Sequence, residues 1–179
     1  MLYVNNGDLT FTEKAQEMGL ADTNRGINAT FFDYDRDNDL DVYVSNSPDI
    51  TGRVQVLDLI EVQTDPKTIA LKGSDRLYRN DGSGHFTDIS IKAGIKPDIG
   101  FGLNPQVGDL NQDGWLDIYV CNDFNIPDFA YINNQDGTFS EKRNELVKHM
   151  SFNSMGSDIV DVNNDGFFDL MTLDMNPED

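Results

Sequence analysis

The sequence predicts an all-β protein built from repeated four-stranded units. Two observations lead to this prediction: an Asp-rich segment of nine residues occurs three times, and a turn element that ends in Phe also occurs three times. Each Phe precedes the next Asp-rich segment by 22 or 23 residues, at 11 and 33, 86 and 109, and 139 and 161. Chance similarity would not keep this register, so both elements belong to one repeating unit.

The flanks of both elements have the pattern of β-strands. After each Asp-rich segment Asp alternates with apolar residues, as in residues 40–44, and a Gly-containing extended stretch precedes it, as in residues 26–32. The segment therefore joins two antiparallel strands. The turn element, with Asn, Asp and Gly beside strand-like residues, predicts a second hairpin. Two hairpins make one four-stranded unit.

Shorter features complete the organisation of residues 1–179, which we interpret as a single domain. Residues 11–19 and 86–94 align with each other and each end in Gly, which predicts a short helical turn after each of these Phe residues. The interval between the first Asp-rich segment and the next turn element is longer than the second such interval. This indicates an insertion at about residues 47–74, in which residues 54–62 fit either a short strand or a helix.

Charge narrows the range of partners. The chain has 32 acidic and 13 basic residues, a formal net charge of −19, so it repels nucleic acid and anionic membrane surfaces and attracts cations. No apolar run is long enough to insert into a membrane. The single cysteine, Cys121, lies in an apolar run without a zinc pattern, which favours a buried structural thiol.

The Asp-rich segments have the chemistry of calcium loops. They share the pattern Asp-x-[Asp/Asn]-x-Asp-[Gly/Asn]-x-x-Asp, and such close carboxylates repel one another unless a hard cation lies between them. Oxygens of positions 1, 3, 5 and 9 and the backbone carbonyl of position 7 are the predicted ligands. Position 6 needs a left-handed backbone, which suits Gly114, Gly166 and, as the best substitute, Asn38.

The three predicted calcium sites are named by their loops. Loop one is residues 33–41, loop two is 109–117 and loop three is 161–169. The predicted ligand residues are Asp33, Asp35, Asp37, Asp39 and Asp41 in loop one; Asp109, Asn111, Asp113, Trp115 and Asp117 in loop two; and Asp161, Asn163, Asp165, Phe167 and Asp169 in loop three.

Other readings of these loops fit less well. An EF-hand needs Glu at position 12 and helices on both sides, whereas position 12 is Val44, Val120 or Thr172 and the flanks resemble strands. Magnesium needs stricter octahedral geometry, and zinc or copper would need His or Cys. The alternative without a metal is a set of Asx-turns.

The loops resemble those of FG-GAP/VCBS repeats, the blades of integrin-α-type β-propellers. Residues 77–80, 86–88 and 93–95, together with residues 172–179, are similar to bacterial relatives of cartilage acidic protein 1 that are associated with ASPIC/UnbV domains. The resemblance implies a propeller fold, structural calcium at positions 1, 3, 5, 7 and 9, and an extracellular, cell-surface or periplasmic location. In loop one, Asn38 replaces Gly and Asp39 adds a carboxylate.

The resemblance leaves the number of blades and the biological task open. The repeats supply about three blades' worth of strands, fewer than the 4–8 of closed propellers, so a partial propeller of a longer protein or a homodimer that completes a propeller is expected. The leading functional hypothesis is a non-enzymatic calcium module for adhesion or for protein or carbohydrate recognition. The alternatives are a spacer or a propeller-type lyase or hydrolase, for which only Asp123 and Asp128, expected to face solvent, are unassigned acids.

Overall fold

The computed structural model describes residues 1–47, 73–97, 100–123, 126–151 and 153–175. Within these ranges the chain forms strands and one short helix. Their bounds are β1 (Tyr3–Asn5), β2 (Phe11–Glu13), β3 (Arg25–Phe32), β4 (Asp41–Ser47), β5 (Arg76–Asn80), β6 (Phe86–Asp88), β7 (Phe101–Gly108), β8 (Asp117–Asp123), β9 (Phe129–Asn133), β10 (Phe139–Glu141), α1 (Arg143–Leu146), β11 (Ser154–Val160) and β12 (Asp169–Asp174).

The strands form two complete four-stranded sheets and two half-sheets. The first blade has the order β3-β4-β5-β6, the second has β7-β8-β9-β10, and all neighbours are antiparallel. The pairs β1-β2 and β11-β12 stand as two-stranded sheets. The predicted all-β fold of four-stranded units is confirmed, as a partial propeller in the described part of the chain.

The inner hairpins share a bulge, which shows that the repeats superpose. The register of β3 with β4 shifts between Gly26 and Asn28, and that of β7 with β8 shifts between Gly102 and Asn104. The same shift occurs in β11, at 154–156. A bulge bends a strand and increases its twist, so each inner hairpin turns in the same way.

The main core lies between the first and second blades. It is a cluster of large buried side chains in which Tyr43 and Leu77 of the first blade pack against Ile118, Val120 and Tyr131 of the second. Phe129 also belongs to this cluster and stacks on Tyr131 with ring centroids 5.6 Å apart. A second cluster, with buried Cys121, lies between the second blade and β11-β12. Blade packing therefore depends on alternating side chains of the second strand in each blade.

The predicted helical turns are present and tie neighbouring units together at the outer rim. Met18 N–H donates to Lys14 O at 2.9 Å, a single helical turn that ends at Gly19 with φ +78°. A Cβ on Gly19 would lie closer than contact distance to the carbonyl oxygen of Phe86, whose N–H donates to Met18 O at 2.8 Å. Only glycine fits both the left-handed backbone and this close approach.

The insertion falls outside the part of the chain that the structure describes. Residues 48–72 cover most of it, so the strand or helix expected at 54–62 lies outside the described residues. Helix α1, which follows β10, was not predicted from the sequence. Among the described residues, no helix has the length and apolar character needed to cross a membrane.

Candidate metal centre

Each Asp-rich loop joins the two inner strands of its blade. Loop one connects β3 to β4, loop two connects β7 to β8, and loop three connects β11 to β12. Position 6 is left-handed in all three, with φ of 71° at Asn38, 88° at Gly114 and 87° at Gly166, in agreement with the sequence analysis. A tight turn at this position lets the preceding side chains curve toward one side of the loop.

A second left-handed residue occurs at position 4 of every loop, where no glycine signals it. Arg36, Gln112 and Asn164 have φ of 62°, 59° and 60°. Left-handed backbone costs an ordinary residue roughly 1–2 kcal/mol, so the loop itself must enforce it. Hydrogen bonds within the loop, described below, provide that constraint.

The Asp at position 9 anchors the loop to its own blade. One oxygen of Asp41 accepts from Tyr34 N–H at 3.2 Å and the other from Asn80 N–H at 2.9 Å. Asp117 makes the same pair of bonds, from Leu110 N–H and Asn133 N–H, both at 2.8 Å. Each oxygen keeps a lone pair beyond its backbone hydrogen bond, so position 9 can still face a cation.

These bonds tie the Phe-bearing turn to the Asp-rich loop of the same blade, across a sequence interval that differs between the two complete blades. Asn80 and Asn133 begin the turn elements, and their amide nitrogens also donate to the loop carbonyls of Leu40 and Leu116, each at 3.2 Å. The constant Phe-to-loop spacing in the sequence indicated repetition. It did not reveal that the Asn of the turn element closes the loop of the same blade.

Loop one has carboxylate oxygens that point into a shared space. Ligand atoms of Asp33, Asp35 and Asp37 all lie within 4.8 Å of one another. One oxygen each of Asp33, Asp35 and Asp39 is buried and has no hydrogen-bond partner among the described residues. Buried unpartnered polar atoms are rare and costly, which makes this group a candidate cation site.

Arg79 neutralises the outer side of the same loop. Its Nε lies 3.0 Å from Asp35 Oδ2, and its terminal nitrogen lies 3.1 Å from Asp37 Oδ2. The guanidinium therefore uses the oxygen of Asp35 that is opposite the unpartnered one. It balances charge and leaves Asp35 Oδ1 without a hydrogen-bond partner among the described residues.

The pKa values of loop one reflect crowded acids. Burial raises the pKa of Asp35, and the charges of Asp37 and Asp33 add to this while Arg79 opposes it. Desolvation and the charges of Asp37 and Asp35 raise the pKa of Asp39. For Asp37, desolvation is outweighed by hydrogen bonds from Asp39 N–H and Arg79, so its pKa is lowered. A dication among these groups would favour their ionised forms.

The pKa values of Asp41 and Asp117, the position 9 carboxyls of the two complete blades, are raised above the ordinary value of aspartate. Burial raises the pKa of Asp41 to about 6, although hydrogen bonds from Asn80 and Tyr34 oppose the shift. Burial likewise raises the pKa of Asp117 to about 6. Both side chains are fully inaccessible to solvent. Proton release is therefore coupled to any cation that binds beside them.

In loop two, more side-chain oxygens accept hydrogen bonds from the loop itself than in loop one. Both oxygens of Asp109 accept from loop N–H groups, those of Asp113 at 3.0 Å and Gly114 at 2.8 Å. Asn111 Oδ1 accepts from Asp113 N–H, and its amide donates to Asp113 Oδ2 at 2.9 Å. This is the hydrogen-bond pattern of nested Asx-turns, in which a calcium ion would compete with N–H groups for the same oxygens.

Loop three has the same internal bonds as loop two. Asp161 accepts from Asp165 N–H at 3.1 Å and Gly166 N–H at 2.8 Å, and Asn163 bonds to Asp165 in both directions. Asp169 accepts from Val162 N–H at 3.1 Å. Among the described residues, the carboxylates of Asp33, Asp35 and Asp37 are the acidic group that comes together, whereas loops two and three are closed by their own hydrogen bonds.

Oxygen-only donor sets fit a hard cation. The unpartnered oxygens of loop one come from carboxylates, and the group contains no nitrogen or sulfur donor. Calcium accepts 6–8 oxygen ligands in flexible geometry, and a negative cluster with one nearby guanidinium suits a dication. Residues Asp33, Asp35, Asp37 and Asp39 are those that could hold it.

Contacts at position 4 link consecutive loops. The guanidinium of Arg36 lies over the ring of Trp115 at 4.7 Å, within cation–π range. One repeat further, the amide of Gln112 donates to the carbonyl of Gly166 at 2.6 Å. The loops therefore lie on the same side of the molecule and touch their successors.

The expectation that Asp123 and Asp128 face solvent is wrong. Asp123 is 9% exposed and Asp128 is fully buried. Asp128 accepts from Tyr119 Oη at 2.7 Å and from Asn122 N–H at 2.8 Å. Ser154 Oγ, which belongs to β11, donates to it at 3.0 Å. The carboxyl joins β8 to β11, and burial raises its pKa.

The first blade contains the matching arrangement. Asp75 accepts from Tyr43 Oη and from Asn46 N–H, both at 2.8 Å, and burial raises its pKa to about 7. Asn46 also donates to Ser74 O at 2.8 Å. Because Tyr43 and Asn46 align with Tyr119 and Asn122, each complete blade has a buried Tyr–Asp–Asn group that the Asp-loop repeat did not reveal.

Fold and loops together define a class: a propeller-type β-repeat protein with Asp-rich inner hairpins. The chain matches the FG-GAP-like repeat family over residues 1–44 and 57–120, more than half of its length, and it belongs to that family. Repeats of this family are typical of extracellular proteins. A comparison with curated proteins gives no match.

Proposed function

We propose that this chain is a calcium-binding repeat module in which the metal stabilises the blades. The observation that carries the proposal is the set of buried, unpartnered oxygens of Asp33, Asp35 and Asp39. Leaving such groups without a partner costs free energy, and a hard cation among them removes that cost. The corresponding segments of loops two and three are two further, weaker sites.

Thermal unfolding in chelator and in calcium tests this proposal. Extracellular calcium modules bind with dissociation constants on the order of 10⁻⁴–10⁻³ M. At about a hundred times that constant, one site stabilises by about 2.7 kcal/mol, which is roughly 5–10 °C for a domain of this size. We expect calcium to raise the melting temperature by that amount and magnesium to raise it less.

Matched variants assign the effect to loop one. Asp35→Asn removes one charge at the unpartnered oxygen, whereas Glu17→Gln makes the same charge change at an exposed side chain that is paired with Lys14 at 3.1 Å. We expect the first variant to lose most of the calcium-induced shift and the second to keep it. A melting temperature independent of calcium in the unmodified protein would overturn the proposal.

We further propose that the module acts outside the cytoplasm in recognition of a protein or carbohydrate. The family's usual extracellular setting supports this, because millimolar calcium is available there. The net charge of −19 favours cationic or calcium-bridged partners. Binding to immobilised glycans and extracellular proteins should depend on calcium. Binding that is equal in calcium and chelator, or absent throughout, contradicts this role.

A further inference from the structure

Arg36 belongs to loop one, but its guanidinium contacts loop two. The group lies over the indole ring of Trp115, with 4.7 Å between its central carbon and the ring centroid. One terminal nitrogen lies 3.0 Å from the point where a Cβ on Gly114 would be. Burial tends to raise the pKa of Asp113, but hydrogen bonds at loop two and the charge of Arg36 outweigh it and lower that pKa. A cation of one loop is thus placed in the next.

A different arginine forms the ion pairs of the two aspartates that flank Arg36 in the sequence. Nε of Arg79 lies 3.0 Å from Asp35 Oδ2, and a terminal nitrogen of Arg79 lies 3.1 Å from Asp37 Oδ2. A guanidinium between two aspartates would ordinarily pair with them. Stacking on tryptophan is instead a cation–π geometry, which arginine adopts more often than lysine. The ion pairs of Arg79 therefore leave Arg36 to extend toward loop two.

The backbone of Arg36 ties the direction of its side chain to the shape of loop one. Its φ is 62°, in the left-handed region that an arginine avoids unless neighbouring contacts enforce it. Asp35 and Asp37, on either side of it, belong with Asp33 to the group whose ligand atoms lie within 4.8 Å of one another. A cation bound by these carboxylates would fix the chain immediately before and after Arg36. The direction of the guanidinium then depends on whether loop one is occupied.

Loop two receives the guanidinium at a glycine that leaves room for it. Gly114 is left-handed, with φ of 88°, and lacks the side chain that would crowd Arg36. Gly166, at the same position of loop three, has φ of 87°, but nothing lies within 4 Å of its Cβ position. The backbone conformation alone therefore explains the glycine of loop three, whereas the glycine of loop two also accommodates a side chain from loop one.

The residue at position 4 of loop two makes a contact of the same kind. The amide of Gln112 donates to the carbonyl oxygen of Gly166 at 2.6 Å. Its backbone is also left-handed, with φ of 59°. Arg36 reaches positions 6 and 7 of the following loop, and Gln112 reaches position 6, although the two side chains differ in charge. Contact between position 4 and the next loop is therefore shared by these two repeats.

We propose that Arg36 is a positioning residue through which the cation occupancy of loop one controls the order of loop two. When loop one holds a cation, its backbone keeps Arg36 over Trp115 and so restrains positions 6 and 7 of loop two. When loop one is empty, repulsion among its carboxylates loosens the loop and, with it, the stacking contact. One bound ion thereby orders two loops. This inference rests on the proposed calcium function, but it can fail while that function stands.

Fluorescence of Trp115, the single tryptophan, tests the proposal in the 179-residue chain. Calcium titrated into chelator-treated protein should reduce acrylamide quenching of Trp115, because a restrained and stacked indole is less accessible to the quencher. Asp35→Asn should weaken calcium binding at loop one by about 10–100-fold, and the midpoint of the fluorescence change should move by the same factor. A midpoint that stays in place would show that the signal arises from an ion in loop two itself, which overturns the proposal.

Variants of Arg36 separate its role from a general loss of charge. Arg36→Met should abolish the fluorescence response, while calorimetry still detects calcium binding at loop one and so shows that the variant is folded. Lys14→Met removes one positive charge from an ion pair with Glu17 outside the loops and should keep the response. Arg36→Lys retains the charge without the planar guanidinium and should restore part of the response.

Two outcomes reject the role of Arg36 alone. They are a full fluorescence response in Arg36→Met, and unchanged fluorescence in the unmodified protein despite calcium binding in the calorimeter. Absence of binding heat in the unmodified protein would instead reject the calcium function on which this inference rests.

Discussion

The two complete blades have the same topology and the same loop motif, yet their loops differ in electrostatic state. Loop one holds buried oxygens of Asp33, Asp35 and Asp39 without partners and has Arg79 beside them. In loop two the oxygens of Asp109 are taken up by N–H groups of the loop itself. The same pattern of residue types thus produces one loop whose carboxylate oxygens lack hydrogen-bond partners and another whose oxygens accept hydrogen bonds from the loop backbone.

Two substitutions accompany the contrast. Position 3 is Asp35 in loop one but Asn111 in loop two, where the amide donates to Asp113 and removes one acceptor from the site. Position 7 is Asp39 in loop one, which adds a carboxylate, but Trp115 in loop two. Repeats of one family can therefore hold cations with different strength while their strands superpose.

The largest expected effect is on the pH dependence of the unfolding free energy, and it comes from the buried carboxyls inside the blades. The pKa of Asp75 is raised to about 7, above the ordinary value of 3.8, so the folded protein binds the extra proton between those values. Its contribution to stability is complete below about pH 4 and is lost as the pH rises through about 7. In chelator, we expect Asp75→Asn to flatten the pH dependence of the unfolding free energy by about 2–4 kcal/mol.

The equivalent substitution in the second blade, Asp128→Asn, tests whether both buried carboxyls contribute to the pH dependence. Asp128→Asn should also flatten the pH profile, because burial raises the pKa of Asp128. It should in addition increase hydrogen exchange in β11, since Ser154 loses a carboxylate acceptor. Denaturant titrations from pH 4 to 8 measure the first effect. Parallel profiles for the unmodified protein and both variants would show that these carboxyls do not titrate as described.

Exchanging position 3 between the loops should move calcium affinity between the blades. Asp35→Asn should weaken binding at loop one by about 10–100-fold, and Asn111→Asp should strengthen loop two by a similar factor, because ligand charge sets affinity. Calorimetry reports total binding. Trp115, the single tryptophan, lies in loop two and sensitises terbium luminescence there. No change in terbium binding after Asn111→Asp would refute the role given to position 3.

Removing the guanidinium of Arg79 should increase the difference in calcium affinity between loop one and loop two. Arg79→Met takes a positive charge away from Asp35 and Asp37, so calcium should bind loop one about 3–10-fold more tightly, while the metal-free protein loses stability. Arg76→Met, whose ion pair with Asp88 at 3.4 Å is remote from the loop, is the control. Weaker calcium binding in Arg79→Met would mean that Arg79 positions the carboxylates.

The smallest effect is expected at position 6. Asn38 is left-handed at 71°, so Asn38→Gly should stabilise loop one by about 0.5–1 kcal/mol. Gly114→Ala should destabilise loop two by about 1 kcal/mol, and more than Gly166→Ala, because its Cβ would lie 3.0 Å from the Arg36 guanidinium. Gly166 has no neighbour within 4 Å. Denaturant midpoints of the three variants test this order.

Features set by local sequence were predictable. Alternation of Asp with apolar residues indicated the inner strands, the repeated spacing indicated the hairpin pairing, and the need for a left-handed residue singled out Asn38. These signals lie within a few neighbouring residues. They can therefore be recognised in the sequence without knowledge of the packing.

Features set by packing were not predictable. Arg36 and Gln112 are left-handed because hydrogen bonds in the loop force them, although their residue types do not favour it. Arg79 reaches Asp37 although the two lie 42 residues apart in the sequence, and the buried Asp128 accepts hydrogen bonds from the hydroxyls of Tyr119 and Ser154. Such roles depend on contacts between distant segments, which spacing alone does not encode.

The contact from position 4 of each loop to the next gives the row of loops a direction. Arg36 rests on Trp115, and Gln112 holds the carbonyl of Gly166, but the reverse contacts do not occur among the described residues. A cation that fixes the backbone of loop two would also fix the surface on which Arg36 rests, and by linkage loop one would favour that cation in return. Neighbouring loops would then fill over a narrower calcium range than independent sites.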